Sequence, residues 1–83
     1  MEYYELYAKR IRDLCRIRGI TVNRLASLSG LRQSTVDNIL RGVSRNPGAR
    51  TLHMIASAFG MTLSEFLNFP ELNEYDPFEG EDE

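Results

Sequence analysis

Polar residues near the middle of the chain have side chains suited to hydrogen bonding with the edges of nucleobases. They are Gln33, Ser34, Asp37 and Asn38. At about 100° per residue, they fall with Arg41 within an arc of about 140° on one helix. Gln and Asn can pair with adenine through two hydrogen bonds, Ser can bond to any base, and Asp can accept from the cytosine amino group. A solvated helix face has a similar composition, so the pattern alone allows both interpretations.

The helix that carries these residues is the third of about five short helices that the sequence predicts. Apolar residues at helical spacing predict a first helix over 3–18, stopped by Gly19. Thr21 can cap a second helix, which would end at Gly30. The third helix, at about 33–41, is followed by another glycine, which marks its end.

Two further helices are expected in the second half of the chain. Residues 43–50 contain Asn-Pro-Gly and predict a loop. A fourth helix would then begin at Thr51 and end at Gly60. Residues 62–65, Thr-Leu-Ser-Glu, have the form of a capping box and predict a fifth helix. Because no stretch alternates as a strand does, we expect an all-α fold, a compact bundle of these helices.

Gly30 decides how the second and third helices are joined. In one continuous helix it would cost about 1 kcal/mol relative to alanine. The apolar stripe from Leu25 to Val36 is compatible with continuity, so periodicity does not settle the question. The Ser-Gly pair and the flanking caps favour a break, with Gly30 in the left-handed conformation. Ala26 is small enough for close helix packing and Val36 can point back at it, which predicts a helix-turn-helix.

The charges are strongly segregated along the chain. Residues 1–70 contain all ten Lys and Arg and only five acids, whereas residues 71–83 contain seven acids and no base. A basic body of this size often binds a polyanion, although a solvated surface is equally ordinary. We therefore expect a domain over 1–69 and an acidic, flexible tail over 70–83, which could screen the basic body, bind a protein partner or aid solubility.

Composition excludes several classes of protein. No apolar run approaches the ~18 residues of a membrane span, and the N-terminus lacks a signal-peptide pattern, so we expect a cytoplasmic protein without a membrane partner. One cysteine, Cys15, and one histidine, His53, make a metal site improbable, and no metal or cofactor is expected. No nucleophile stands beside a base, so an enzyme is not expected.

The ordered motifs resemble those of the lambda-repressor-like family, also called the Cro-type or xenobiotic-response-element type. The resemblance covers residues 9–67, and the stretches that carry it are RIRDL at 10–14, RGI at 18–20, LA at 25–26, RQSTVDNILRG at 32–42, RNP at 45–47 and TLHMIASAFGMTLSEFL at 51–67.

The family resemblance implies a DNA-binding domain whose helix-turn-helix comprises helices 2 and 3. In this family the third helix enters the major groove of double-stranded DNA with its N-terminal residues against the bases. This implies base-reading roles for Gln33, Ser34, Asp37 and Asn38. Phosphate contacts supply most of the affinity, and the candidates for them are Thr21 with the backbone N–H groups beside it, Arg24, Arg32, Arg41, Arg45 and Asn46. The alternative for each arginine is an ordinary solubilising charge. The arginines of helix 1 are expected to face solvent or to pair with Asp13.

The sequence departs from the family pattern at several positions. Family members commonly begin helix 2 with a glutamine that touches a phosphate, but Val22 stands there. Arg32 replaces the usual Ser or Thr cap of helix 3. Several members bury an Arg on helix 1 against a Glu on helix 3, and the matching residues are Cys15 and Leu40. Since both charges are absent together, no orphan ion is left in the core, and we expect Cys15 to be a small core residue.

Two functional hypotheses follow. The first is a sequence-specific DNA-binding transcriptional regulator of a prokaryote or its phage, acting as a repressor. The second is a protein-interaction module on the same fold, such as an antitoxin or an adaptor to another regulator. The apolar residues Phe66, Leu67, Phe69 and Leu72 exceed what one small core is expected to bury, and family members often dimerise in this region, so a homodimer is expected. The operator and the regulated genes are not encoded in any of these patterns.

Overall fold

A computed structural model of the chain describes residues 2–78. Within these residues the chain forms six helices and no strand. They are α1 (Tyr3–Arg18), α2 (Val22–Ser29), α3 (Gln33–Leu40), α4 (Ala49–Ala58), α5 (Leu63–Leu67) and α6 (Pro70–Asn73). The predicted all-α class is confirmed, with one helix more than expected.

Local capping explains where most of these helices begin and end. Gly19 and Gly30 end α1 and α2 in the left-handed conformation, as predicted. Thr62 accepts the N–H of Glu65, whose side chain accepts the N–H of Thr62 in return, so the predicted capping box forms at α5.

The fourth helix begins earlier than the sequence predicted. Gly48 is its N-cap, and the N–H of Leu52 donates to the Gly48 carbonyl at 3.1 Å. Thr51 is therefore the third residue of α4 rather than its cap. Glycine is tolerated at an N-cap without a side-chain bond, and this choice places Arg50 in the first turn of the helix.

The core lies between α1 and the helices that pack on it. Its largest fully buried side chains are Phe66, Leu6, Ile11, Leu25, Ile39, Ile55 and Val36. Cys15 is 7% exposed and belongs to the same cluster, against which Leu40 also packs. This burial confirms the prediction of a core cysteine, and it also raises the pKa of the Cys15 thiol.

The beginning of the predicted acidic tail is helical and packs on α1. Pro70 is the first residue of α6, where its fixed φ suits a helix start, and the preceding Phe69 is only 5% exposed. Glu71 pairs with Lys9 at 3.2 Å, and the ring of Tyr75 lies edge-on to that of Tyr3, 5.3 Å between centroids. Residues 70–73 of the predicted tail therefore form a helix that the sequence did not indicate, and residues 79–83 of that tail lie outside the described residues.

Candidate nucleic-acid interface

The turn between α2 and α3 has the geometry expected of a helix-turn-helix. Gly30 has φ +78°, and its N–H donates to the Ala26 carbonyl at 3.1 Å. Ala26 is 4% exposed and Val36 fully buried, so both face the core where α2 and α3 pack together. Ser29 also stabilises the turn, since its hydroxyl donates to the Ala26 carbonyl and accepts the N–H of Leu31. The sequence pattern used Ser29 only as a residue that disfavours a continuous helix beside Gly30, and these two hydrogen bonds were not predicted.

The polar face of α3 points away from this core. Gln33 and Ser34 are exposed, whereas Asp37 and Asn38 are half-buried. The Gln33 amide donates to Asp37 Oδ1 at 3.1 Å, which fixes two of the four predicted base-reading side chains relative to each other. The Asn38 carbonyl accepts the N–H groups of Val43 and Ser44 and thereby ties the following loop to α3.

The first turns of α2 and α3 leave backbone donors available. Thr21 caps α2 by accepting the N–H of Arg24 at 3.0 Å. The N–H groups of Val22 and Asn23 then have no acceptor within residues 2–78. Arg32, as predicted, gives α3 no side-chain cap. Free N–H groups at a helix start favour an anion such as phosphate.

The basic residues of α1 are engaged within the protein. Arg10 donates to the carbonyls of Phe66 and Glu65 at 2.8 and 2.9 Å, and its guanidinium lies over the Phe69 ring. Arg12 donates to the Leu40 carbonyl at 3.0 Å, and Arg18 donates to the carbonyl of Phe59. These arginines thus bind the C-terminal carbonyls of α5, α3 and α4, where a cation is favourable.

The remaining basic residues of α1 bind carboxylates. Arg16 pairs with Asp13 at 3.1 Å, as expected. Lys9 pairs with Asp13 at 2.6 Å and with Glu71, and its hydrogen bond lowers the pKa of the Asp13 carboxyl. The prediction that the α1 arginines face solvent or pair with Asp13 therefore holds for Arg16 and for Arg12, which is exposed although it binds the Leu40 carbonyl, and it is wrong for Arg10, which is half-buried. The carbonyl partners of Arg10 and Arg12 are distant in sequence, and no local pattern reveals them.

The basic residues after α1 are in a different state. All five are exposed, and within residues 2–78 none has a carboxylate partner or a hydrogen-bond acceptor for its guanidinium. They are Arg24, Arg32, Arg41, Arg45 and Arg50. Arg45 lies over the ring of Tyr4, 4.6 Å from the ring centroid. Arg50 is absent from the sequence-predicted set, because the early start of α4 that places it in the first turn was not foreseen.

The remaining predicted residues add little to this arrangement. Asn46 is exposed in the loop between α3 and α4, and His53 is exposed on α4. In the described part of the chain no cluster of His, Cys, Asp and Glu could hold a metal ion. Residues 2–78 also contain no helix with the length and apolar character needed to cross a bilayer.

The fold and the turn between α2 and α3 define a helix-turn-helix domain. A sequence profile of the Cro/C1-type HTH DNA-binding domain matches residues 10–71, and the chain belongs to that family. It is 33% identical over 63 residues to the HTH-type transcriptional regulator PuuR of Escherichia coli (strain K12) and to that of Shigella flexneri. The match covers 76% of this chain and 34% of each relative, so the chain spans about a third of their length. It is also similar to the crystal structure of the prophage Lp1 protein 11, with a TM-score of 0.78, 31% identity and coverage of 89% of this chain and 97% of that one.

Proposed function

We propose that this chain is a sequence-specific reader of double-stranded DNA that represses transcription. The observation that carries the proposal is that the basic residues form two groups, which differ in whether their side chains are bonded within the protein. Those of α1 are bonded within the protein, whereas the five from Arg24 onward are exposed and have no carboxylate partner within residues 2–78, and two of them, Arg32 and Arg41, stand at the two ends of α3. Exposed arginines without carboxylate partners, together with a polar helix face, suit a surface that binds phosphates and reads bases.

In this proposal α3 lies in the major groove and reads the bases. Gln33 and Asn38 would pair with adenine, Ser34 with any base, and Asp37 would accept from cytosine. The hydrogen bond from Gln33 to Asp37 supports their acting as a unit, because it holds the amide oriented before DNA arrives.

Phosphate binding is assigned to the surroundings of α3. The N–H groups of Val22 and Asn23, which have no acceptor within residues 2–78, and the exposed Arg24 belong to the first turn of α2, while Arg32 is the N-cap of α3 and Arg41 its C-cap. Arg45 and Asn46 complete the set from the loop. Each phosphate neutralised lowers the logarithm of affinity by about 0.9 per log unit of salt.

The test is a titration of the chain against a random-sequence duplex at several salt concentrations. Replacing Arg24 or Arg32 with Gln should make the salt dependence shallower by about 0.9 each. Arg16→Gln is the matched control, because Arg16 is equally exposed but pairs with Asp13 on α1. An equal change in all three variants would contradict the assigned surface. Selection of bound DNA from a random pool would then give the operator.

A homodimer is part of the proposal, with two α3 helices reading half-sites roughly 34 Å apart. Fewer apolar side chains are available for a dimer contact than the sequence predicted, because Phe66 and Phe69 are buried within the chain. Sedimentation of the protein with and without its selected operator would measure the stoichiometry. A single copy on a single half-site would contradict the dimer.

The second candidate is a protein-interaction module on this fold. The observation that favours it is Val22, which packs against the core where family members commonly present a phosphate-binding glutamine. The full chain and a chain without residues 79–83, which lacks four acids but keeps α6, should be titrated together. If neither protein binds DNA in a salt-dependent way, the DNA-binding proposal fails and the protein-interaction module is the supported function. Tighter binding by the shortened chain alone would assign a screening role to the acidic end.

A further inference from the structure

Tyr4 occupies the junction between the start of α1 and the loop that follows α3. A Cβ added at Gly42 would overlap Cε2 of Tyr4 and lie 3.1 Å from Cδ2 and 3.3 Å from Cζ. The aromatic ring therefore takes the space that a side chain at position 42 would need. Gly42 also has φ +76°, a conformation that other residues rarely adopt.

The same ring holds a basic side chain of the proposed DNA surface. The guanidinium carbon of Arg45 lies 4.6 Å from the Tyr4 ring centroid, within the range of a cation–π interaction. Within residues 2–78 Arg45 has no carboxylate that would compete for the guanidinium. Tyr4 thus restricts a long side chain that would otherwise sample many rotamers.

The backbone leading to Arg45 is attached to α3. The N–H groups of Val43 and Ser44 donate to the Asn38 carbonyl at 2.9 and 3.0 Å. Arg45 is the next residue, so its Cα has a defined position relative to the polar face of α3. The backbone of Arg45 is therefore held close to α3, and its guanidinium is held by the ring of Tyr4.

We propose that Tyr4 is a positioning residue that holds the Arg45 guanidinium beside the polar face of α3, ready for a DNA phosphate. The inference rests on the proposed function and extends it to a residue of α1 outside the helix-turn-helix. Ordering a rotamer-rich side chain on binding weakens affinity by about two- to tenfold, and preorganisation removes that cost. Tyr4 contributes by preparing Arg45 for its contact with DNA.

The experiment is a double-mutant cycle on binding of a random-sequence duplex at low salt. Tyr4→Leu keeps an apolar group against Gly42 but removes the aromatic face, and it should weaken binding about two- to tenfold. Tyr4→Phe keeps that face and should bind as the parent chain does. In an Arg45→Gln background, Tyr4→Leu should have no further effect. Tyr3→Leu is the matched control, since the Tyr3 ring contacts Tyr7 and Tyr75 instead, and it should leave affinity unchanged.

Two results would overturn the role of Tyr4 while the proposed function stands. One is an unaltered affinity for Tyr4→Leu; the other is an equal loss with and without Arg45. If the parent chain itself does not bind the duplex, the proposed function fails and the role of Tyr4 in binding fails with it. An NMR measurement on the free protein separates these cases. The ring should shift the Arg45 side-chain protons upfield in the parent and in Tyr4→Phe, and Tyr4→Leu should abolish the shift whether or not DNA binds.

Discussion

Gln33 donates its side-chain amide to Asp37 Oδ1 at 3.1 Å across one turn of α3, on the face proposed to read bases. The bond joins a donor-acceptor group to a carboxylate, and it orients the amide so that the Gln33 oxygen faces away from Asp37. Two residues that the sequence presents as separate candidates therefore form one unit.

If Gln33 and Asp37 act as a unit, the base preferences that they set should be coupled. Asp37→Ala should relax base preference at its own position by about 1–3 kcal/mol and should also weaken the preference set by Gln33. Removing the negative charge should at the same time strengthen binding to random-sequence DNA. Operator selection with each single variant and the double variant measures the coupling. Strictly additive losses at separate base pairs would show that the two residues read DNA independently.

A second prediction concerns the C-terminus of α3. Arg12 binds the Leu40 carbonyl at 3.0 Å, and Arg12→Gln should lower the free energy of unfolding by about 1 kcal/mol, because the carbonyl loses a charged donor at the negative end of the helix dipole. Urea denaturation checks this. Arg16→Gln, which removes only an exposed pair with Asp13, should change stability far less. Equal losses would indicate that Arg12 contributes only its general charge.

The apolar pair that replaces a buried ion pair of the family gives a third prediction. Leu40→Glu should lower the free energy of unfolding by about 1–3 kcal/mol, because a carboxylate would replace the half-buried apolar side chain that packs on the cluster around Cys15. Cys15→Arg combined with Leu40→Glu should recover part of that loss by restoring the pair. Thermal unfolding of the two variants and the parent measures both effects. An unchanged melting temperature in Leu40→Glu would refute the contact between these positions.

The attachment of α6 should depend on pH. Hydrogen bonds from the backbone N–H of Glu71 and then from Lys9 hold the pKa of the Glu71 carboxyl below its usual range. A hydrogen bond from Lys9 also lowers the pKa of the Asp13 carboxyl. A carboxyl group whose pKa is lowered by folding stabilises the fold at pH values above its ordinary pKa. That contribution is lost as the pH falls through the lowered pKa. Unfolding should therefore become easier between about pH 5 and pH 3.

Lys9→Met supplies the control for this effect. Without the ammonium group, both carboxylates should titrate closer to their ordinary values, and the loss of stability on acidification should be smaller than in the parent chain. The effect is modest because Lys9 and Glu71 are exposed. Denaturation curves at matched ionic strength measure the difference. Parallel pH profiles for the two proteins would show that the pairing does not stabilise the fold.

Features determined by neighbouring residues could be predicted from the sequence. Gly19, Gly30 and the capping box at Thr62 lie at the ends of helices, and each acts on backbone groups within a few residues. Cys15 and Leu40 were placed at a common site because their positions match a known pair of the family, and both belong to or pack on the core.

What could not be predicted depends on contacts between distant residues. Arg10 and Arg12 look like surface charges, and only the folded chain brings them to carbonyls 56 and 28 residues away. The sixth helix was not predicted, because the acidic composition after residue 70 indicated a flexible tail despite Pro70. This helix depends on burial of the preceding Phe69 and on the ion pair between Glu71 and Lys9. At the candidate site the residue types were visible in the sequence, but the free or bonded state of each arginine was not.

The arginines of α1 also constrain the order in which the fold can close. The carbonyls they bind belong to residues 28, 41 and 56 positions further along the chain. During synthesis α1 emerges first, but Arg10 lacks its acceptors until α5 has left the ribosome, so the contacts of α1 cannot be completed before the end of the bundle is made. The consequence is that α1 is fully fixed only when the chain reaches α5: a chain truncated before α5 would leave Arg10 without the Phe66 and Glu65 carbonyls, and only Arg12 and Arg18 would still bind theirs.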